Sequence, residues 1–235
     1  MMILEEVQKA IKFEALGDYD SAEKIYIDIL KQDENNSYVL SLLGILYLKT
    51  GYFKLAKQLL EKSHSLVPSL VNTEYLGLAY FCLKKLDKAA ELFEKVVSST
   101  NNFDVLEKYL DILQSKDEDI KAYEVAQMFY KKFPLRPEAI SQLADCCIQV
   151  GKFQDADMYS SKVVRQYPKY GIGWIVRGMF CEIYYNDDET AQQCFKKALR
   201  LGEKRKAYYN LGLNAARFKD YKKALYYFKK IYRRI

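Results

Sequence analysis

Between residues 37 and 69 the hydrophobic positions fall into two helical runs. Leu40, Leu43, Ile45, Tyr47 and Leu48 recur at helical intervals, Lys49-Thr50-Gly51 interrupts them, and Leu55, Ala56, Leu59 and Leu60 resume the pattern. The pattern predicts helix, turn, helix. No run of alternating apolar and polar residues bounded by hairpin turns stands out, so almost no sheet is expected.

The same punctuation returns a hundred residues later. GYFKLAKQLLEKSHSLVP sets Gly51, Ala56 and Pro68 at steps of five and twelve, and GKFQDADMYSSKVVRQYP sets Gly151, Ala156 and Pro168 at the same steps. An Ala four residues before a large or apolar position recurs at Ala22, Ala56, Ala89, Ala122, Ala156, Ala191 and Ala224, at intervals of 34, 33, 33, 34, 35 and 33 residues. A stacked unit must keep its turn and its tightest contact while its surface drifts, so the chain reads as seven copies of one unit. Their bounds are about 3–36, 37–69, 70–102, 103–136, 137–170, 171–204 and 205–235, within one domain over 1–235. Gly51 and Gly151 suit a helix end that needs positive φ. Pro68, Pro134 and Pro168, each twelve after a ladder Ala, would stop the second helix.

These residues resemble the tetratricopeptide repeat. Its pattern of a Leu-Gly pair and Tyr on the first helix, then Gly, Ala, an aromatic and Pro, is met by Leu43-Gly44, Tyr47, Gly51, Ala56 and Pro68 in repeat two. Repeat three offers Leu76-Gly77, Tyr80, Ala89 and Phe93, repeat six Trp174, Gly178, Ala191 and Phe195, and repeat seven Leu211-Gly212, Tyr221, Ala224 and Phe228. Repeat four is the weakest, and repeat one lacks the Leu-Gly pair. The resemblance implies an all-α fold, a right-handed α-solenoid or superhelix of antiparallel helix pairs, with first helices lining an inner groove. Gly44, Gly77, Ala144, Gly178 and Gly212 are expected to face the ladder alanines, and Tyr47, Tyr80, Phe93, Phe195 and Phe228 to fill the space between successive units.

At the groove positions the resemblance implies, repeats two and three present Tyr38, Ser41, Leu42, Ile45, Tyr75, Leu78 and Phe81. Repeats four and five present Asp104, Glu107, Lys108, Asp111, Glu138, Gln142 and Asp145, and repeat six presents Ile172, Ile175, Val176 and Met179. The groove is thus expected to be apolar, then acidic, then apolar. Such a surface suits a peptide or partner protein with basic residues between apolar anchors; the bland alternative is inter-repeat packing and a solvated acidic face. The Lys and Asn clamp with which some family members hold acidic chaperone termini is replaced here by Val7, Ile11, Leu42 and Tyr75, among others.

Composition narrows the class. Half the residues are hydrophobic and 29% are charged, and no run approaches a membrane span of about 18 apolar residues. Charge is uneven: from residue 193 onward fourteen Lys or Arg face only Glu203 and Asp220, so that stretch carries +12 and the rest of the chain −6. Lys196, Lys197, Arg200, Lys204, Arg205, Lys206, Lys222, Lys223, Lys229, Lys230, Arg233 and Arg234 form the expected basic patch. No nucleic-acid module accompanies it, so nucleic acid is the disfavoured partner.

No catalytic, cofactor or metal constellation emerges. There is no phosphate-cradling loop, and the single histidine, His64, has no companion for a triad or metal site. Cys82, Cys146, Cys147, Cys181 and Cys194 are odd in number and lack Cys-x-x-Cys spacing, which fits a reducing interior. With no cationic lead into an apolar stretch at the N-terminus, a cytoplasmic protein is expected. The last unit leaves Leu225, Phe228, Ile231 and Tyr232 without a cap, which implies either dimerisation there or, as favoured, a further C-terminal segment. The reading is a non-enzymatic interaction scaffold. Its alternative is the substrate-recruiting arm of a larger enzyme, such as a protein glycosyltransferase, with catalysis beyond residue 235.

Overall fold

A computed structural model describes residues 2–232, which form fourteen α-helices, one π-helical turn and no strand. In chain order the helices are α1 (Met2–Ala15), α2 (Tyr19–Gln32), α3 (Ser37–Lys49), α4 (Phe53–Leu66), α5 (Leu70–Cys82), α6 (Leu86–Val96), α7 (Phe103–Ser115), α8 (Asp119–Lys132), α9 (Pro137–Gln149), α10 (Phe153–Gln166), α11 (Gly171–Phe180), α12 (Asp188–Arg200), α13 (Lys204–Arg217) and α14 (Tyr221–Tyr232). The π turn, Cys181–Tyr185, continues α11. The chain forms two compact units that divide within α7, the first ending at Ile112 and the second beginning at Leu113. Consecutive helices pack as antiparallel pairs, and first helices also touch one another: α3 with α5, α9 with α11, and α11 with α13. This is the all-α architecture of a tetratricopeptide-type solenoid.

Local chemistry sets the helix ends. Asp18, Asn36, Ser69 and Asp187 cap α2, α3, α5 and α12 by accepting a backbone N–H three residues on, at 3.0–3.2 Å. Pro137 opens α9 at a position where its missing N–H is not needed. Pro68, Pro134 and Pro168 each follow the capping residue of a second helix.

The turn inside each pair is a left-handed residue five before the ladder Ala. Glycine serves at Gly17, Gly51 and Gly151, but Lys84, Asp117, Asn186 and Lys219 adopt the same positive φ, from 50° to 60°. After the turn, an N–H bonds back five residues, as in Tyr52 to Tyr47 at 2.8 Å and Lys85 to Tyr80 at 2.9 Å, which satisfies a carbonyl at the helix end. In repeat six the bond runs six residues, from Asp187 to Cys181 at 3.1 Å. The π turn therefore absorbs the one extra residue that makes the Ala156–Ala191 interval 35.

The seven ladder alanines are all buried, none above 4% exposure. At the small position of the first helix the ladder Ala is joined by a nearer neighbour: the Ala56 carbonyl lies 3.4 Å from a Cβ placed on Gly44, but the side chain one turn beyond the ladder Ala comes closer still. A Cβ on Gly77 would lie 2.5 Å from the Phe93 ring, one on Gly178 2.5 Å from Phe195, one on Gly212 2.5 Å from Phe228, and one on Gly44 2.7 Å from Leu60. Those rings thus fill space inside their own pair, because a glycine leaves a hole of ring size there. Phe93 also meets Tyr109 of α7 at 6.1 Å. Tyr47 and Tyr80 do bridge pairs, each hydroxyl donating to a glutamate of the preceding second helix, Glu23 and Glu61.

Two stability outcomes follow. Gly77→Ala should cost about 1–3 kcal/mol, read as a lower urea midpoint, because the buried Phe93 ring must shift. Lys84→Gly should instead raise stability by about 0.5–1 kcal/mol, since relief of the left-handed strain outweighs the added freedom of the unfolded chain.

Candidate functional site

In the first unit, α1, α3 and α5 present two adjoining clefts. One, of about 350 Å³, is lined by Tyr38, Leu42, Ile45, Val67 and Val71 with Ser37, Ser41, Ser69 and Asn72. The other, of about 310 Å³, is lined by Ile11, Ala15, Leu42 and Ile45 between Glu14 and Lys49. Leu42 and Ile45 belong to both. Three of the expected groove residues, Tyr38, Leu42 and Ile45, therefore converge on one apolar trough, with Tyr38 58% exposed. Ser41 does not face out. It is buried in a network in which its hydroxyl meets Ser63 at 2.8 Å and donates to Asn72, while Asn72 donates to Ser63 at 3.0 Å and to the Val67 carbonyl at 2.9 Å. Every polar atom in that wall has a partner, so the trough keeps its shape without exposing unmet donors.

Tyr75, Leu78 and Phe81 are half-buried on α5. Burial raises the Tyr75 phenol above its ordinary range. The acidic stretch beside them is compensated. Lys108 pairs with Glu107 at 2.7 Å and with Asp111 at 3.6 Å, and its ammonium lies 5.9 Å from the Phe81 ring centre. Although burial opposes its charge, the two carboxylates hold the Lys108 ammonium above the usual lysine range. The expected field of free acids at Glu107 and Asp111 is thus neutralised in part by the lysine between them.

In the second unit the same register behaves differently. Asp145 on α9 accepts from the Gln114 amide at 3.0 Å through Oδ2, while its Oδ1 is buried with no hydrogen-bond partner. Burial pushes the carboxyl above the ordinary aspartate value, and Lys206 on α13 pulls the other way. Gln142 is half-buried on the same helix. Ile175 and Val176, expected in the groove, are each only 4% exposed. Ile175 packs with Ala207 and Leu211 of α13, and Met179 lies half-buried against the same cluster. The neighbouring first helix covers these positions, which makes Ile175 a core residue.

The basic residues lie on α12, α13 and α14 and are exposed apart from Lys197 and Lys230, which are half-buried; Arg233 and Arg234 fall outside the described residues. Leu225 is exposed and Phe228 and Ile231 are half-buried, while the Tyr232 side chain is outside the description. The five thiols are free. Burial raises Cys146 to about 12 and Cys147 and Cys194 to about 11, so all three stay protonated at neutral pH. His64 buries Nδ1 without a partner, and no cluster of three metal-ligating side chains occurs among the described residues. No helix among them is long and apolar enough to cross a membrane.

The stacked helix pairs have the fold of a tetratricopeptide-repeat solenoid. A tetratricopeptide-repeat family model matches residues 187–235, which hold α12, α13 and α14, and the fold is shared with tetratricopeptide-repeat structures over nearly the whole chain. A tetratricopeptide repeat protein from Parabacteroides merdae aligns with a TM-score of 0.72 at 16% identity, covering 97% of this chain and 91% of that one. YrrB, described as a TPR protein with an unusual peptide-binding site, aligns with a TM-score of 0.67 at 16% identity over 83% and 97%. The C-terminal part of a TPR protein from Cytophaga hutchinsonii gives 0.64 at 17% over 96% and 93%. No curated protein matched by sequence.

Asp145 yields a pH prediction. Its folded carboxyl titrates above the ordinary 3.8, so the folded state binds the proton more tightly and stability falls as pH rises from there through the folded value. The penalty grows with pH up to the folded value and is constant above it. Asp145→Asn, whose amide can still pair with Gln114, should raise the urea midpoint at pH 7, with the gain vanishing once acid has protonated both states.

Proposed function

We propose that the chain is a protein-interaction scaffold whose first unit takes a peptide segment of a partner, seating apolar side chains over Leu42 and Ile45. The observation that carries this reading is the pair of adjoining apolar clefts that share those two residues. Exposed Ile11, Tyr38 and Val71 extend the apolar surface around them, and a contiguous bare apolar patch is characteristic of a binding surface. The fully bonded Ser41–Ser63–Asn72 wall supports a preformed site, which limits the ordering cost of binding. A peptide-binding site in a structural neighbour, YrrB, is consistent with the reading. Glu107 and Asp111 enter as a lesser contribution, because Lys108 already offsets them.

A photo-crosslinking residue at Tyr38 would identify the partner in cell extract. With Leu42→Glu and Ile45→Glu together, crosslinking to that partner should fall at least about tenfold, since two charges would be buried in an apolar trough. Glu107→Lys with Asp111→Lys should change it by less than about threefold. Retention of the same crosslinks by the folded Leu42/Ile45 variant would discard the groove as the site.

A further inference from the structure

The last three helices of the second unit sort their charges by edge. Asn214 accepts from Gln192 at 2.8 Å and donates to Asp188 at 3.0 Å, which sets the end of α13 beside the start of α12. Tyr208 and Tyr227 lie 6.2 Å apart, as do Tyr209 and Phe228, which sets the start of α13 beside the end of α14. One edge therefore gathers the end of α12, the start of α13 and the end of α14. The opposite edge gathers their other ends, about 20 Å away along the fourteen residues of α13.

The opposite edge is balanced. Arg217, Lys219, Lys222 and Lys223 share it with five acids, Glu182, Asp187, Asp188, Glu189 and Asp220, and Arg217 pairs with Asp188 and, at 3.6 Å, with Glu182. The basic patch expected from sequence is thus two surfaces, and Lys222 and Lys223 belong to the neutral one.

The first edge has no such balance. Lys196, Lys197 and Arg200 close α12, Lys204, Arg205 and Lys206 open α13, and Lys229 and Lys230 lie near the end of α14, with Glu203 as the one acid among them. None of the six cations on α12 and α13 has a carboxylate partner among the described residues. Three of them occupy the first turn of α13, where the helix dipole disfavours positive charge and Glu203 makes no side-chain capping bond. This concentration of charge opposes its own local electrostatics, and a bound anion would relieve it. The Lys206 charge also reaches Asp145, so the edge borders the first-helix face of the unit.

We propose that this edge binds an acidic polypeptide segment, a run of Asp and Glu side chains lying across the ends of the three helices. Six of the eight cations are lysines, mobile point charges suited to spaced carboxylates, whereas forked recognition of phosphate rests on arginine. Of the nearby rings, Tyr209 lies beside Phe228 and Tyr226 under the Lys230 ammonium at 5.2 Å, and no nucleic-acid module accompanies the edge. The chain outside the +12 stretch carries −6, so a long polyphosphate running past the edge would be repelled while a short acidic segment stays on it. The proposal stands independently of the groove in the first unit.

The test is fluorescence anisotropy on the full chain with labelled decaglutamate, beside oligothymidine of matched charge and phosphatidylserine vesicles. Decaglutamate should bind at low salt and weaken as salt rises. Arg200→Gln, Lys204→Gln and Arg205→Gln together should weaken it about tenfold, and Lys219→Gln, Lys222→Gln and Lys223→Gln together less than about twofold. Each variant loses three positive charges, so a difference between them cannot come from net charge. Circular dichroism confirms that each remains helical. Failure of decaglutamate to bind, tighter binding of oligothymidine or vesicles, or equal losses in the two variants would overturn the assignment.

Discussion

The contact on which the other packing depends is the one between a side-chain-free position on a first helix and the large residue one turn beyond the ladder alanine on the second. Gly77 admits Phe93, Gly178 admits Phe195 and Gly212 admits Phe228, each at a distance that no Cβ would allow. The ladder alanine lets the helices approach, and the glycine gives the ring somewhere to go. The pair varies in size: in the first repeat Ala10 and Tyr26 share one buried cluster, and in the fifth the same positions hold the smaller Ala144 and Ser160, both buried. A first repeat without the Leu-Gly pair therefore still closes. Once each pair is shut, its first helix can lie beside the next, and an inner face exists for other side chains to occupy.

Much of this was legible because the repeat keeps its smallest residues. The alanine ladder fixed the period, and the prolines marked the ends of second helices correctly. The turn was half legible. Glycine announces a left-handed residue at Gly17, Gly51 and Gly151, but Lys84, Asp117, Asn186 and Lys219 hold the same conformation with no such residue type, because the back-bonded helix end imposes it. The interval of 35 was visible in the sequence, yet its consequence, a π turn at Cys181–Tyr185, needed the hydrogen bond from Asp187 to place it.

The site was less legible than the fold, for a physical reason. Helical period assigns a side chain to a face, but whether that face is open depends on the neighbouring helix. Tyr38, Leu42 and Ile45 remain open, whereas α13 covers Ile175. Charge has the same limitation. Asp111 and Glu107 read as an acidic field in the sequence, but Lys108 lies between them, and of the twelve cations that form one patch in the sequence the ten described ones separate onto two edges because the helices run antiparallel. Composition counts charges, while the fold decides which of them cancel.

Two polar features, one in each unit, show how differently a solenoid can use buried polarity. In the first unit Ser41, Ser63 and Asn72 satisfy one another, so their network fixes the wall of an apolar trough and leaves specificity to Leu42 and Ile45. In the second unit Asp145 is satisfied on one oxygen only, and burial raises its carboxyl while Lys206 opposes the rise. Lys206 in turn belongs to an edge with an excess of like charge. Asp145 and Lys206 act on each other only at a distance, so they do not cancel as Lys108 and Glu107 do. The first unit thus joins its apolar trough to a lysine already paired on its own helix, whereas the second leaves the six edge cations of α12 and α13 without carboxylate partners among the described residues.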